Sequence, residues 1–444
     1  MVVLLLNKYL KYIKMEGLIM EINNSIEQIE TEKVNNNFGK NGWGVIIYVG
    51  VLYYFMTGMT VDGLNVLVPG LSQLHGMDYN QVLALSTPAG IIALISCMFY
   101  GWLAAKKGAQ FTAILCLVLG GLATIWYGHA NTIVTYGISL TLMVSLVNGF
   151  SNIAGNVYMA NWFPRKKGLA FGWATMGMNM ASATIVILLN ALAVRFGGMN
   201  MSVTVIGIVM ILLAIFTKIF MKGTPEEAGC TPDNLPLDQI KIEKVAQEIP
   251  RLTYGKVFKT KETWLMAIAY GINGMVTVGV MSQLVPRLME RGYELNTAIM
   301  MLTIAAIIGL AGSYGWGVVD QKWGTKKASL YFAVWYIIGI GFNLIDNTLC
   351  LYISLIMIGG AIGGNANFPP SMVATIFGRK DFPLAFTVMN TIQGVIRNFA
   401  FIVLAIAISI TGSFTGAYMV FMGIEVISII AMLLLNDSPK EVED

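Results

Sequence analysis

The sequence predicts an all-α membrane protein of twelve transmembrane helices, arranged as two parallel six-helix repeats. Three observations carry this: composition, a series of long apolar stretches, and two kinds of basic turn that each occur twice at nearly one offset. Hydrophobic residues make up 56% of the 444 and charged residues only 12%, against roughly 25% charged in soluble domains. A helical span needs about 20 mostly apolar residues, and twelve such stretches can be read. The turn ending in Lys106, Lys107 and Gly108 returns as Asp320, Gly324, Lys326 and Lys327, with the two glycines 216 positions apart. Phe163-PRKKGLAF returns as Phe377-GRKDFPLAF, 214 apart.

The spans are expected at 43–68, 80–104, 109–128, 133–160, 167–193 and 199–221, then at 263–286, 295–319, 327–345, 348–376, 383–411 and 414–435. Ahead of them lies a tail, 1–42. Its first 14 residues read either as an interfacial amphipathic segment or as an over-extended start, with Met15 or Met20 as the true first residue. Residues 43–221 and 263–436 form the two bundles, and 437–444 a short tail. The connection 222–262 holds seven basic and seven acidic residues and four prolines, which suits a linker with at most one short helix near 237–249. With the N-terminus inside, the inner loops collect Lys106, Lys107, Arg165, Lys166, Lys167, Lys322, Lys326, Lys327, Arg379 and Lys380, and the outer loops only Arg195, Arg287 and Arg291. That bias places the chain in the cell membrane with both termini cytoplasmic. Six spans per half is even, so the repeats share one orientation.

Enzyme chemistry finds no support. Cys97, Cys116, Cys230 and Cys350 are scattered, and only His75 and His129 are present. No spacing suits a metal, so neither metal, cofactor nor catalytic residue is expected. The net charge of +4 suits inner-leaflet anchoring better than nucleic acid.

Polar residues inside the spans are the candidate site. Arg397 sits near the middle of span eleven, where a cation costs roughly 2.5–3.5 kcal/mol on insertion scales and must face a cavity or a partner. Asn390, Gln393 and Arg397 share one helical stripe. A guanidinium can hold a carboxylate by two parallel hydrogen bonds; the competing reading is a structural ion pair. Asn148, Asn152 and Asn156 recur every four residues in span four, facing either the cavity or a neighbouring helix. Asn365 and Asn367, beside Pro369 and Pro370, mark a broken helix. Asn179, Asn273, Tyr53, Tyr54 and Tyr270 are further polar candidates. Asp62 in span one reads as a proton site, a salt-bridge partner of Arg397 or a structural helix-end group. Glu425 in span twelve reads as a structural or neutral carboxyl. Gly168/Gly172, Gly359/Gly363 and Gly360/Gly364 are close-packing pairs.

The two six-span halves, the long central connection and the basic turn after span two resemble the major facilitator superfamily. The resemblance covers 43–436. It implies a carrier working by alternating access, with span four on the cavity and with Lys106, Lys107, Gly108, Asp320, Gly324 and Lys326 forming gating turns. The first turn departs from the family pattern, with Ala105 where the family has Asp. Trp162-FPRKKGLAFG and Gly223-TPEEAGCTPD are similar to the oxalate–formate antiporter and monocarboxylate-porter branches. Those carriers use a basic residue in span eleven, a place Arg397 fills, and an Arg in span eight, where this chain has no basic residue. One central cation suits one carboxylate. The expectation is therefore a monomeric secondary transporter of a small organic anion, best a monocarboxylate, by proton symport or exchange for a counter-anion. The alternative is a carrier, for efflux or uptake, of bulky amphipathic acids or drugs.

Overall fold

Twelve expected spans appear as ten continuous apolar helices among the described residues, because two of the ten are too long for a single crossing. The structure is a computed structural model and describes residues 37–235 and 252–439. The expectations for the first 14 residues, for a helix near 237–249 and for the last five residues fall outside that range.

Helix α1 (Gly39–Thr57) runs through a π-turn, Gly58–Asp62, into α2 (Leu64–His75). After α3 (Tyr79–Ala84), α4 (Ser86–His129) is 44 residues long. At 1.5 Å per residue that is about twice the hydrocarbon thickness. It breaks at Gly108, whose φ of 83° excludes continuous helix. The next span is built from α5 (Ile133–Asn148), a π-turn at Gly149–Gly155 and α6 (Asn156–Trp162). Helices α7 (Lys167–Phe196) and α8 (Met199–Phe220) complete the first half.

A short α9 (Tyr254–Lys259) leads into α10 (Lys261–Ser282) and α11 (Leu284–Glu290). Then come α12 (Leu295–Trp323) and α13 (Thr325–Leu344), separated by Gly324 with φ 81°. The apolar run Thr348–Thr411 contains α14 (Thr348–Asn365), α15 (Phe368–Asn398) and α16 (Ala400–Thr411). It is interrupted after Asn365 and again at Gly378, φ 64°. Helix α17 (Phe414–Leu434) ends the fold. Thr132, Asn347 and Ser413 accept backbone N–H groups at the starts of α5, α14 and α17, meeting donors that a helix end leaves unpaired.

Within the first half, α1 packs on α7, and α4 on α5 and α8; within the second, α10 packs on α15 and α17, α12 on α14, and α13 on α14 and α17. Two main contacts join the halves, α4 with α15 and α7 with α12; α15 also meets α6 and α7, and α14 meets α7. Glycines make both main contacts possible. A Cβ on Gly101 would stand 2.0 Å from Thr387 Oγ1, and one on Gly317 2.6 Å from the Gly168 carbonyl. Gly172 lies as close to Ser313, and Gly363 to Gly309 and Ser313. The Gly101 and Gly317 contacts lie near the ends bearing the basic turns, so the halves are closed there.

Candidate functional site

A cavity of about 410 Å³ lies between the halves. All eight residues expected to bind solute line it: Tyr53, Asn148, Asn152, Asn156, Asn365, Asn390, Gln393 and Arg397. Met56, Leu94, Met178, Ile362 and Phe386 supply apolar wall between them.

The stripe on α15 keeps its polar capacity unspent. Asn390 Nδ2 and Gln393 Oε1 are buried without a hydrogen-bond partner. Arg397 is exposed on the cavity and makes no hydrogen bond or ion pair among the described residues. Gly274 of α10 lets it lie there, because a Cβ would be 3.2 Å from Arg397 Cδ.

The three asparagines opposite divide differently. Tyr53 Oη donates to Asn156 Oδ1 at 2.9 Å, and Asn156 Nδ2 donates to Asn152 Oδ1 at 3.2 Å and to the Asn152 carbonyl. Tyr53 and Asn156 are buried and their polar atoms hold Asn152 in place. Asn148 Nδ2 donates to the Val144 carbonyl at 2.8 Å. In a regular helix each four-residue step overshoots a turn by about 40°, which would carry Asn156 away from Asn148. The π-turn at Gly149–Gly155 is wound less tightly and offsets that drift. Both π-turns are bracketed by glycines, Gly58 and Gly63, then Gly149 and Gly155. That pairing is the sequence signal for them, and helical periodicity alone misses it.

Asp62 lies on the first π-turn, half-buried, and accepts from Ser182 Oγ of α7 at 2.6 Å. The pair with Arg397 is not formed. At the cavity wall, which Thr175 and Asn179 help to line, a polar knot ties the halves. Thr175 Oγ1 donates to Asn367 Oδ1 at 2.5 Å, Asn367 Nδ2 to the Ser313 carbonyl at 2.7 Å, and Asn179 Nδ2 to Ser313 Oγ at 2.8 Å. Asn179 and Asn367 were candidates from sequence. Thr175 and Ser313 were not, because a hydroxyl in an apolar span usually bonds its own helix. Asn273, Tyr270 and Glu425 are buried away from the cavity wall, Tyr270 sharing a hydrogen bond with Ser329.

At the closed end Asp320 is buried against Gly168, the second residue of α7, where a helix N-terminus favours negative charge. Asp320 precedes Gly324 by four residues, and four residues before Gly108 is Ala104. With both glycines in the same conformation, Ala104 rather than Ala105 stands where the missing carboxylate would be. Lys106 lies 4.6 Å over the Trp102 ring, and Lys107 is exposed. Lys326 Nζ donates to the Leu435 carbonyl at 2.6 Å, closing the end of α17.

The segment 222–235 is more than a linker. Asp233 accepts from the Arg165 and Lys166 amides at 2.9 and 2.8 Å, on the first-half turn. Glu226 takes both ends of the Arg379 guanidinium, at 3.0 and 3.2 Å, on the second-half turn. Burial alone would raise the Glu226 carboxyl; the hydrogen bonds and charge of Arg379 outweigh it and hold it below its ordinary value. Farther along, Asp381 accepts from the Leu252 amide at 2.6 Å, and Tyr254 Oη donates to the Met98 carbonyl. One stretch of chain thus clasps both halves.

Residues 50–363 match the Major Facilitator Superfamily. The chain belongs to that superfamily. It is a multi-pass membrane carrier of a small solute and not an enzyme. This carrier is 21% identical over 297 residues to the uncharacterized MFS-type transporter YhjX of Escherichia coli, covering 65% of this chain and 70% of that one. Its fold is similar to the proton:xylose symporter XylE, solved with 6-bromo-6-deoxy-D-glucose, at a TM-score of 0.71 and 13% identity, over 89% of this chain and 96% of that one. It is also similar to the E. coli fucose:proton symporter FucP, at 0.64 and 11% identity, over 88% and 99%.

Proposed function

We propose that the carrier moves a small organic anion, best a monocarboxylate, by alternating access between two six-span repeats, with Arg397 holding the carboxylate. The observation that carries this is Arg397 itself, a cation on the cavity wall with no counter-charge among the described residues and with Asn390 and Gln393 unspent beside it. A bound carboxylate supplies what that stripe lacks. Among the described residues no second cation lines the cavity, which favours one carboxylate over two. The methionine, leucine and phenylalanine wall accepts the rest of the molecule.

Twelve crossings in two repeats are supported by the breaks in the two overlong helices and by the exchange of α4–α15 for α7–α12 under a two-fold axis. With the basic turns cytoplasmic, the closed end is inside and the cavity opens outward. Asp62, on the π-turn beside the cavity, is the proposed coupling carboxylate. Proton symport is supported by its position and by the proton coupling of the two structural neighbours; exchange for a counter-anion needs only one site with different affinity in two states. A cavity of 410 Å³ also admits bulkier amphipathic acids.

Uptake by reconstituted vesicles tests the reading. Monocarboxylates of two to eight carbons, dicarboxylates and neutral sugars are compared with and without a pH gradient. Monocarboxylate uptake that falls about tenfold or more in Arg397→Gln supports it. Equal uptake by both proteins, or uptake of sugars alone, overturns it.

A further inference from the structure

Glu425 of α17 is fully buried, and neither of its carboxyl oxygens has a hydrogen-bond partner. Helix α17 is pressed onto α10 one turn earlier, where a Cβ on Gly279 would be 2.1 Å from the Phe421 ring. Helix α13 packs against α17 as well and brings Tyr336, also buried and with an unpartnered hydroxyl. The Tyr336 hydroxyl is close enough to both the Glu425 carboxyl and the Thr277 hydroxyl of α10 to feel each of them. Thr277 lines the central cavity. One turn away on α10, Asn273 Oδ1 is a further buried acceptor without a partner.

A buried polar group without a partner is costly, and here Asn273, Tyr336 and Glu425 each carry one on three helices that pack together. The other titratable groups of these helices are engaged elsewhere, as are Arg287 and Glu290 of α11, which also packs on α17 and pairs the two with each other. Tyr418 donates to the Val280 carbonyl, Tyr270 shares a hydrogen bond with Ser329, and Lys326 caps α17. Lys261, Glu262, Lys327 and Tyr331 belong to the first two turns of α10 and α13, and none acts on Glu425. The place therefore accommodates a neutral acid. A carboxylate there would lack both cation and donors, which disfavours the charged form.

We propose that Glu425 is a proton-carrying site, loaded and unloaded from the central cavity through Thr277 and Tyr336. A proton from cavity water adds to the Thr277 oxygen as the Thr277 proton passes to the Tyr336 oxygen and the phenolic proton passes to the Glu425 carboxylate, leaving a neutral hydroxyl, a neutral phenol and a neutral acid. Unloading runs the same steps in reverse in the other orientation. This rests on the proposed proton coupling of the carrier and assigns a second carboxylate to it, in the half opposite Asp62.

Infrared spectroscopy of the full chain in lipid vesicles tests it without any solute. The expected result is a protonated-carboxyl band, absent in Glu425→Gln, that titrates between about pH 5 and 10. Its exchange with heavy water should slow about tenfold or more in Tyr336→Phe. Glu425→Asp, which keeps the acid, should move the band without abolishing it, should Glu425→Gln fail to fold. A band that does not titrate, or an exchange rate untouched by Tyr336→Phe, makes Glu425 a structural acid and overturns the proposal. In parallel, a lactate gradient should acidify the interior of wild-type vesicles, while Glu425→Gln should exchange lactate without moving protons. Failure of lactate to move in wild type would sink the monocarboxylate reading and leave the infrared result to decide Glu425.

Discussion

Asn390 and Gln393 differ from Asn156 in what their side chains already do, and substitutions should separate them. Asn390→Ala or Gln393→Ala removes a group with no protein partner. Solute affinity should fall about three- to tenfold, the worth of one neutral hydrogen bond, with the melting temperature unchanged. Asn156→Ala instead strands the Tyr53 hydroxyl. It should lower stability by about 1–3 kcal/mol, seen as a lower melting temperature in detergent with or without solute. The stripe on α15 was legible in the sequence because an arginine in an apolar span must face something polar. The spending of Asn156 and Tyr53 on each other was not, because hydrogen bonds between residues 103 positions apart leave no local pattern. Asn367 was legible as a helix breaker beside two prolines, but its bonds to Ser313 and Thr175 depend on the packing of the halves.

Helices were legible wherever apolar length decides, and illegible where winding changes. The π-turn at Gly149–Gly155 keeps three amides on one wall. Deleting one residue within it should restore regular helix and turn Asn152 off the cavity. Solute binding should then be lost while far-ultraviolet helix content stays the same. Close helix approach depends on glycine at single positions. Gly101→Val should collide with Thr387 and the Pro383 carbonyl. Paired distance labels on the two halves should then show the basic end spending less time closed. The clasp responds to acid. Because Arg379 holds Glu226 below its ordinary value, its contribution is full above the usual glutamate pKa of about 4.3. It is lost as the pH falls through that value and below it. Glu226→Gln should reproduce the loss at neutral pH, read by the same distance labels, and acid should then have no further effect through this pair.

At the scale of the whole molecule the sequence points to a duplication, because two different turns repeat at nearly one offset. What the offset could not show is that the two copies close by different means. One uses Asp320 against the start of α7; the other has Ala104 in the matching place and a clasp supplied from outside the repeat. Ala104→Asp should therefore strengthen the closed end. Turnover should slow, and reagents applied from the open side should label cysteines introduced on the cavity wall faster. Unchanged turnover and labelling would mean that the clasp already supplies all the closure this end uses.

The clasp also has a kinetic consequence. Glu226 and Arg379 are 153 positions apart in sequence, and Glu226 is half-exposed, so the pair is individually weak, about 0–1 kcal/mol. The chain that joins the halves nevertheless presents it at a fixed, high effective concentration. Re-closing becomes an intramolecular event whose odds depend on tether length and on how many of the Glu226, Asp233, Asp381 and Tyr254 contacts are made together. Dwell time at the closed end can then be tuned by the connecting chain alone, with the affinity of the cavity for its solute left as it was.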